Sequence, residues 1–284
     1  MAVMNLAQER VLKVEAVVLE HQEWGEADRL LTLFTREYGR MRAIAKGVRR
    51  IRSRKAGHLE PFTRVALVLA RGRDLWIVTQ AETLEANLAL HGDLEGIGYA
   101  SYVAELLERL TYEEGPNPNL YRLLVDTLRR LDENLDPPAL ILRYFELHIL
   151  DLAGFRPELT ECVTCRRLIQ PEDQYFSSSL GGVLCPTCGK VEPSARPVSM
   201  NALRYLRHLQ RSTYPEARRA RPNPAITTEM ERILRDYLTY ILEARLNSPE
   251  FIRQVRQNLS TTESSSRPPE ENASATISDT VIDL

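Results

Sequence analysis

Four cysteines form two pairs whose spacing could bind a single metal ion. Cys162 and Cys165 make one CxxC pair, Cys185 and Cys188 make the other, and 19 residues lie between the pairs. This spacing is typical of a four-cysteine zinc site, in which each pair directs two thiolates at one tetrahedral ion. Because four protein ligands leave no position for water, the pattern predicts one structural Zn²⁺ per chain and no catalytic zinc.

Two other kinds of chemistry are compatible with paired CxxC motifs: redox-active dithiols, and iron in a rubredoxin-like site. Zinc is favoured because all four cysteines of the chain fall within one compact unit. Gly189 directly follows the second pair, where a metal knuckle needs a flexible turn, and Gly181 with Gly182 suits a hairpin that returns the chain to the ion. A segment this short has too small a core to fold alone, so we expect the metal to staple it, rather than to contact DNA.

A second set of residues that could bind a ligand is strongly basic. Residues 36–55 contain nine basic side chains and a single acidic one, Glu37, which gives this stretch a net charge of +8. The basic residues are Arg36, Arg40, Arg42, Lys46, Arg49, Arg50, Arg52, Arg54 and Lys55. Arginine predominates, and its planar guanidinium can bind phosphate through two hydrogen bonds or stack on a base. The segment therefore predicts polyanion binding that depends little on sequence and weakens with salt.

The overall charge hides this segment. The 284 residues sum to -2, whereas residues 1–80 carry +6, residues 81–160 carry -9, residues 161–260 carry +5, and the final 24 carry -4. The near-neutral total excludes a uniformly basic coat protein, and a hydrophobic fraction of 43% argues against an acidic disordered chain. No stretch reaches the roughly 18 apolar residues of a membrane span, and the first residues lack the apolar core of a secretory signal. We therefore expect a cytoplasmic protein without disulfides.

Enzymatic motifs are missing from the sequence. There is no GxxxxGK[ST] phosphate loop, no GxGxxG after a strand and no HExxH, and the five histidines have no ligand spacing. A nuclease would need carboxylates beside the basic segment, and only Asp28 and Glu60 are candidates. Tyr38, Phe34 and Trp76 are candidates for stacking on bases, although Phe34 and Trp76 also suit a protein core. The sequence favours a binding protein over an enzyme.

The elements that position the basic segment are predicted to be short strands. Residues rich in Val, Leu and Thr, separated by turn residues, predict five of them, at 11–20, 29–35, 40–47, 62–71 and 74–83. On the third strand Arg40, Arg42 and Lys46 share a parity and would project from one face. Five strands in about 80 residues, with a basic gap between the third and fourth, suit a small barrel. The pattern alone fits an OB-fold or an SH3-like barrel.

The remainder of the chain has helical periodicity. Helices are predicted near 99–110 and 120–131, and a third is opened by Pro137-Pro138 and ended by Gly154. After the cysteines, helices are predicted from a Ser199 cap to 210 and over 227–246. The fold class is therefore α+β, with a barrel at 1–83, helical parts at 84–160 and 192–257, and a zinc-binding insertion at 161–191. Residues 258–284 are rich in Ser, Thr, Glu and Pro, which predicts a disordered acidic tail.

Three stretches of the sequence together resemble the RecO family of bacterial DNA repair and recombination mediators. The first comprises GEAD at 25–28, LFTREYG at 33–39, AKGVRR at 45–50 and LEPF at 59–62. The second is LAGFRPEL at 152–159, leading into CVTC at 162–165, and the third is FS at 176–177 followed by GGVLCPTC at 181–188. Their order and spacing are similar across residues 8–257, which leaves the C-terminal tail outside the resemblance.

The resemblance implies a fold and a function. It implies an N-terminal five-stranded OB-fold, a mainly helical remainder and a zinc-binding insertion, although some family members lack complete cysteine sets. Such proteins bind single- and double-stranded DNA, anneal complementary strands and, with RecR, help RecA displace single-strand-binding protein. They are not enzymes, and a bacterial protein of this kind would be cytoplasmic and nucleoid-associated. A zinc-containing regulator of transcription or RNA is the alternative that uses the same features.

The DNA-binding role of the family carries over to particular residues here. Arg40, Arg42, Lys46, Arg49 and Arg50 match its basic motif. Arg52, Arg54 and Lys55 are included for their charge, because they lie outside that motif. The four cysteines match the metal-binding positions of the insertion, which supports metal binding in this chain.

Overall fold

The computed structural model describes residues 9–111, 115–243 and 246–265, and the side chains of the last helix up to Arg256. The chain begins with five strands whose inward-facing positions are Val, Leu, Ala and Met. These strands are β1 Val11–Trp24, β2 Asp28–Thr35, β3 Gly39–Ala45, β4 Arg64–Arg71 and β5 Trp76–Glu85. The number of strands and their approximate positions agree with the prediction.

The five strands close into a barrel in the order β1-β2-β3-β5-β4. The long strand β1 pairs antiparallel with both β2 and β4, with an irregularity in its register between Val18 and Glu20. β3 and β5 pair in parallel, with Ala43 opposite Trp76 and Ile44 opposite Ile77. This topology is that of the OB-fold, so the predicted fold class is confirmed and the SH3-like alternative is wrong.

Strand β3 alternates as the parity of its residues predicts. Met41, Ala43 and Ala45 are buried in the barrel, whereas Arg40 and Arg42 face outward. Lys46 follows the end of the strand and begins a long connection to β4 over residues 46–63. Within this connection only a short 3₁₀ turn, Ala56–His58, is regular. The basic side chains therefore lie along one strand and the loop that leaves it.

Helices make up most of the chain beyond the barrel. They are α1 Leu88–Gly92, α2 Leu94–Leu110, α3 Pro118–Glu133, α4 Pro138–Leu152, α5 Pro186–Gly189, α6 Met200–Arg211, α7 Tyr214–Ala217, α8 Pro224–Leu242 and α9 Ser248–Ser265. The start of α4 at Pro138 and the Ser199 cap of α6 are confirmed, since the Ser199 hydroxyl accepts a hydrogen bond from the Ala202 amide. None of the described helices is long and apolar enough to cross a lipid bilayer.

The C-terminal boundary differs from the prediction. Helix α9 continues through Ser265, past the predicted start of the tail at residue 258. Its first turns pack against α2, because Ile252 is buried and the Glu105 carboxylate accepts hydrogen bonds from the amides of Asn247 and Ser248. The remainder of the predicted tail, residues 266–284, lies outside the described residues.

The barrel and the helices share a hydrophobic core. Val17, Leu19, Phe34 and Phe62 of the barrel segment pack into the cluster formed by the helices, and the Phe34 ring lies 6.4 Å from that of Tyr121. Polar contacts reinforce this junction: the Tyr121 hydroxyl donates to Glu15 Oε1 at 3.1 Å, and the same carboxylate pairs with Arg64 at 2.6 Å. The helices therefore hold the basic face of the barrel in a fixed orientation.

A small antiparallel sheet surrounds the cysteines. It contains β6 Gln174–Ser177, β7 Gly182–Leu184 and β8 Arg196–Val198 in the order β7-β6-β8. Two isolated bridges, Glu158 with Gly182 and Glu161 with Leu168, extend the pairing toward α4. The cysteine module thus spans residues 158–198, which is longer at both ends than the predicted 161–191.

Candidate nucleic-acid interface and metal centre

The four cysteine sulfurs converge on one point. The Sγ atoms of Cys162, Cys165, Cys185 and Cys188 all lie within 4.8 Å of one another, and those of Cys165 and Cys185 are 3.8 Å apart. A tetrahedral ion with metal–sulfur bonds of about 2.3 Å requires sulfur–sulfur distances of about 3.8 Å. The two predicted pairs therefore form a single site whose dimensions fit a tetrahedral, all-thiolate metal ion.

Each cysteine pair sits on its own tight turn. In the first, the Arg166 amide donates to the Cys162 carbonyl at 2.9 Å, and the Cys162 amide donates to the Arg167 carbonyl at 2.9 Å. Arg166 adopts a left-handed conformation with φ of 60°, a strained choice for a residue other than Gly or Asn. In the second, the Gly189 amide donates to the Cys185 carbonyl at 2.8 Å and closes α5. Both turns aim two sulfurs at the same point.

Gly189 is needed for a reason other than the predicted flexible turn. Its φ is not in the left-handed region, but a Cβ atom at this position would lie 2.3 Å from the Tyr175 ring. The glycine therefore lets β6 approach the second knuckle. Gly181 does supply a left-handed turn, with φ of 74°, and Gly182 pairs with Ser177 in the hairpin of β6 and β7. The predicted hairpin between the two cysteine pairs is confirmed.

Arg167 places a positive charge beside the thiolates. Its Nε lies 3.3 Å from Cys165 Sγ, and one of its terminal nitrogens lies 3.9 Å from Cys185 Sγ, so it contacts one sulfur from each knuckle. The hydrogen bond from the Arg167 side chain, with a second from its backbone, lowers the pKa of Cys165 to about 6. Burial raises the pKa of Cys162, but backbone hydrogen bonds from Cys165, Cys185 and Thr164 outweigh it and lower that pKa. These contacts favour the thiolate form that metals bind.

The part of the module around the cysteines has only a small hydrophobic cluster of its own. Its own hydrophobic cluster consists of Cys162, Leu184 and Ala195, with a few partly buried neighbours. The small sheet is supported by the helical body, because Phe176, Val183 and Val198 pack into the cluster that the helices form. The two knuckles lack such support, and segments with so small a core depend on a metal. An ion bound by the four cysteines would join the loop after α4 to the turn before β8.

Replacing Gly189 by Ala is expected to destabilise the module by about 1–3 kcal/mol, the usual range for overpacking, because the added methyl group would collide with the Tyr175 ring. Thermal unfolding of the metal-loaded protein, followed by near-ultraviolet circular dichroism, would measure the change. Gly92→Ala is the matched control, since no atom lies within 4 Å of a Cβ there and its φ is not left-handed. Equal stability of the two variants would contradict the close packing of Tyr175 on Gly189.

The basic side chains divide into two groups. Five of them have no hydrogen-bond or ion-pair partner among the residues that the structure describes, and they face solvent or lie half-exposed along the strand end and the loop. These five, here called the free cations, are Arg42, Lys46, Arg50, Arg52 and Arg54. The other predicted DNA-binding residues, Arg40, Arg49 and Lys55, contact groups of the protein itself.

Arg49 joins the basic loop to the hairpin of β1 and β2. One of its terminal nitrogens pairs with Glu23 at 3.0 Å, and its backbone amide donates to the Ala27 carbonyl at 2.9 Å. Nearby, the Gly47 amide donates to Asp28 Oδ1 at 2.7 Å, which ties the start of the loop to β2. The loop is therefore anchored against the barrel on its hairpin side.

Arg40 and Lys55 anchor the basic segment at two other points. A terminal nitrogen of Arg40 donates to the Glu108 carbonyl at 3.1 Å, so this side chain lies at the junction of the barrel with α2. Lys55 donates through Nζ to the Val78 carbonyl at 2.9 Å and so fixes the far end of the loop to β5. The paired cations hold the loop in place, and the free cations remain available to a ligand.

The two carboxylates near the loop have structural partners. Asp28 accepts the hydrogen bond from Gly47, and Glu60 pairs with Arg29 at 2.9 Å and with His21 at 3.3 Å. Burial raises the pKa of Glu60, but hydrogen bonds from Arg29 and His21 outweigh it, so the pKa lies below its usual value. Both carboxylates serve to hold the strands and the loop together.

The aromatic candidates lie in different environments. Phe34 is only 2% exposed within the core shared with the helices, so its assignment as a stacking candidate is wrong. Tyr38 and Trp76 pack, partly buried, against the barrel core. Sequence reasoning missed Trp24 and Ile51, which are exposed at the tips of the β1–β2 hairpin and the basic loop. The position of Trp24 immediately before the Gly25 turn was the available signal for an exposed aromatic residue.

Together these features define a class of protein: an OB-fold with an anchored, cationic loop, continuous with a helical body that carries a four-cysteine metal module. The family described as Recombination protein O N terminal matches residues 10–87, and Recombination protein O C terminal matches residues 91–250. The chain belongs to the RecO family.

Relatives of the chain carry the same family name. It is 43% identical to a protein named DNA repair protein RecO from Roseiflexus sp. (strain RS-1), over 89% of each chain. It is 41% identical to the DNA repair protein RecO of Pelotomaculum thermopropionicum, over 87% of this chain and 96% of that one. It is 36% identical to the protein of that name from Dehalococcoides mccartyi strain 195, over 81% and 90%. The similarity covers both the barrel and the helical body.

Proposed function

We propose that this protein is a non-enzymatic recombination mediator that binds single- and double-stranded DNA through the basic face of its OB-fold. The observation that carries the proposal is the group of free cations, Arg42, Lys46, Arg50, Arg52 and Arg54, on the strand and loop beside the barrel. Unpaired guanidinium groups on a surface repel one another, and a phosphate backbone is the ligand that relieves this repulsion. Membership of a family named for DNA repair and recombination supports the same ligand.

Arg40, Arg49 and Lys55 take part in a different way. The contact of Arg40 joins β3 to α2, and those of Arg49 and Lys55 hold the loop against the β1–β2 hairpin and β5, so the free cations are presented from a supported scaffold. Arg49 retains enough exposure to add its charge to the surface. Its matching position in the family motif is thus explained by anchoring as well as by charge.

Strand annealing follows from charge neutralisation. Two complementary strands repel each other through their phosphates, and a cationic surface that binds one strand lowers the barrier to the approach of the second. Binding through phosphates requires no recognition of base sequence, so any complementary pair would anneal. No chemical bond is made or broken in this process.

The partners are those implied by the family resemblance. With RecR, the protein would help RecA load onto DNA coated by single-strand-binding protein, in the bacterial cytoplasm at the nucleoid. Residues 81–160, with their net charge of -9, are disfavoured as a DNA surface and suit contact with a protein. The free cations and this acidic region would then engage DNA and protein at the same time.

The metal in the cysteine module would be a single structural Zn²⁺. Four thiolates on two knuckles within 4.8 Å form the closed donor set of structural zinc, with no ligand position for water or substrate. Zinc bound there supplies no chemistry beyond cross-linking the chain. Metal analysis distinguishes this proposal from an iron site.

Annealing of complementary strands already coated with single-strand-binding protein tests the proposed function. A mediator is expected to anneal coated strands at least as completely as bare ones, whereas a simple polyanion binder would anneal only bare strands. The measurement is fluorescence transfer between dyes on the two strands, with RNA of matched sequence and unrelated DNA sequences for comparison. Strong preference for one sequence or for RNA would favour a nucleic-acid-binding regulator, and cleavage of labelled DNA in Mg²⁺ would contradict a non-enzymatic role.

A further inference from the structure

Two large hydrophobic side chains are exposed at the tips of the β1–β2 hairpin and the basic loop. The Trp24 side chain is 51% exposed at the tip of the β1–β2 hairpin, and Ile51 is fully exposed within the basic loop. In contrast, the second tryptophan, Trp76, packs against the barrel core. Exposed apolar area is unfavourable in water, so a rigid site that displays two such groups beside cations suits a ligand with both apolar and anionic parts.

The two hydrophobic residues are held on neighbouring segments. Arg49 connects the segments, because one of its terminal nitrogens pairs with Glu23, the residue before Trp24. Its other terminal nitrogen lies 3.5 Å from the carbonyl oxygen of Gly25, the residue after Trp24. Ile51 lies two positions beyond Arg49 and is flanked by the free cations Arg50 and Arg52. The hairpin tip and the loop are therefore joined through Arg49. Ile51 lies among free cations, whereas Trp24 lies between Glu23, whose charge Arg49 neutralises, and the exposed Glu26.

We propose that Trp24 and Ile51 contact unpaired bases, so that this surface distinguishes single-stranded DNA from duplex. The inference rests on the proposed DNA-binding function and assigns the part of the DNA that these residues recognise. An unpaired strand offers phosphates and flat apolar faces together, and an indole ring stacks on such faces irrespective of base identity. In a duplex the bases are already stacked on one another, and only the phosphates remain available to the free cations.

Comparison of three DNA probes of equal length tests the inference: oligothymidylate, an abasic strand with the same number of phosphates, and a duplex. Trp24→Ala is expected to weaken binding of oligothymidylate about tenfold, the scale of one lost stack, and to leave the abasic strand and the duplex unchanged. Ile51→Ser should act in the same direction with a smaller effect. Trp24→Tyr should retain most of the affinity, because it keeps an aromatic face.

Arg50→Ala is the matched control, since it removes a phosphate contact and should weaken binding of all three probes. Tryptophan fluorescence gives an independent readout: oligothymidylate should quench Trp24 in a Trp76→Phe background, and the abasic strand should not. The inference fails if Trp24→Ala leaves oligothymidylate binding unchanged or weakens all three probes equally, as a merely structural residue would. Failure of the unsubstituted protein to bind any probe would instead overturn the proposed DNA-binding function.

Discussion

Replacing Arg50, Arg52 and Arg54 together by Glu is expected to weaken binding of single-stranded DNA about 50-fold or more in 0.15 M salt. Each phosphate contact with a single strand contributes about 0.7 to the slope of log affinity against log salt, so five free cations predict a slope near -3.5. Loss of three contacts flattens the slope by about 2, which corresponds to roughly 50-fold at this salt concentration. The new carboxylates add repulsion and make this a lower limit.

The three residues suit this test because their side chains form no hydrogen bond or ion pair with the residues that the structure describes. Arg49 is a poorer choice: its substitution also breaks the pair with Glu23 that anchors the loop, so lost affinity would have two explanations. Fluorescence anisotropy with one labelled oligonucleotide, titrated at four or five salt concentrations, gives both the affinity and the slope. Unrelated sequences should lose affinity alike, because no base edge is read.

A control variant with the same change in net charge distinguishes the effect of the loop on DNA affinity from the effect of the overall charge of the protein. Arg204 and Arg211 of α6 and Arg219 after α7 are exposed and form no ion pair with a described carboxylate. Their joint replacement by Glu should change affinity much less than the loop variant and leave the salt slope near its original value. Equal losses of affinity in the two variants would show that the overall charge of the protein attracts DNA and that the OB-fold loop is not a specific binding site.

The sequence predicted those parts of the fold and site that depend on local pattern. Alternation along β3 predicts that Arg40 and Arg42 lie on the outer face, and the two CxxC pairs predict one metal site. Which barrel forms was not predictable from strand count alone, because the deciding contact is the parallel pairing of β3 with β5 between residues about 33 positions apart. Pairing between distant strands is a tertiary choice that periodicity does not encode.

The contacts that individual side chains make could not be predicted from the sequence for the same reason. Nothing near Arg40 signals that it meets the Glu108 carbonyl, and nothing near Phe34 signals that it faces Tyr121 instead of the solvent. Arg143 and Glu146 are a further example: these charged residues lie one helical turn apart on α4, and Glu146 is fully buried and also accepts a hydrogen bond from Tyr102 at 2.5 Å. A charge count predicts how many cations a segment has, but only the fold decides which remain free.

Replacing Cys185 by Ser is expected to abolish stable metal binding and to unfold the two knuckles of the cysteine module. Structural four-cysteine zinc sites contribute apparent binding free energies of about 10–16 kcal/mol, and that energy is also the folding energy of the module. A serine hydroxyl in place of one thiolate opens the tetrahedron, and the small cluster around Leu184 cannot hold the two knuckles together by itself. Metal content by mass spectrometry, before and after a chelator competes for the ion, should fall from one zinc per chain to nearly none.

Two substitutions near Cys185 are expected to reduce metal binding by smaller amounts or not at all. Arg167→Gln keeps all four ligands but removes the cation beside Cys165 and Cys185, and loss of such a supporting contact typically lowers metal affinity about 10- to 100-fold. Thr187→Ser changes an exposed residue between the two ligands of the second knuckle and should leave metal content unchanged. Similar metal loss in Thr187→Ser and Cys185→Ser would contradict the assigned ligands, and iron in place of zinc would contradict the metal.

The same Cys185→Ser variant tests whether the metal only holds the cysteine module together or whether the module also contacts DNA. Among the described residues, the cluster that fills the inside of the barrel includes no side chain beyond Ala81, although Val17, Leu19 and Phe34 pack into the helical cluster. We therefore expect the OB-fold and its free cations to remain folded when the two knuckles unfold. Affinity for single-stranded DNA and its salt slope are therefore expected to stay within about twofold of the original protein, a change of less than 0.5 kcal/mol. A slope that flattened by about 0.7 or more would instead place at least one phosphate contact in the module, because each lost contact reduces the slope by that amount.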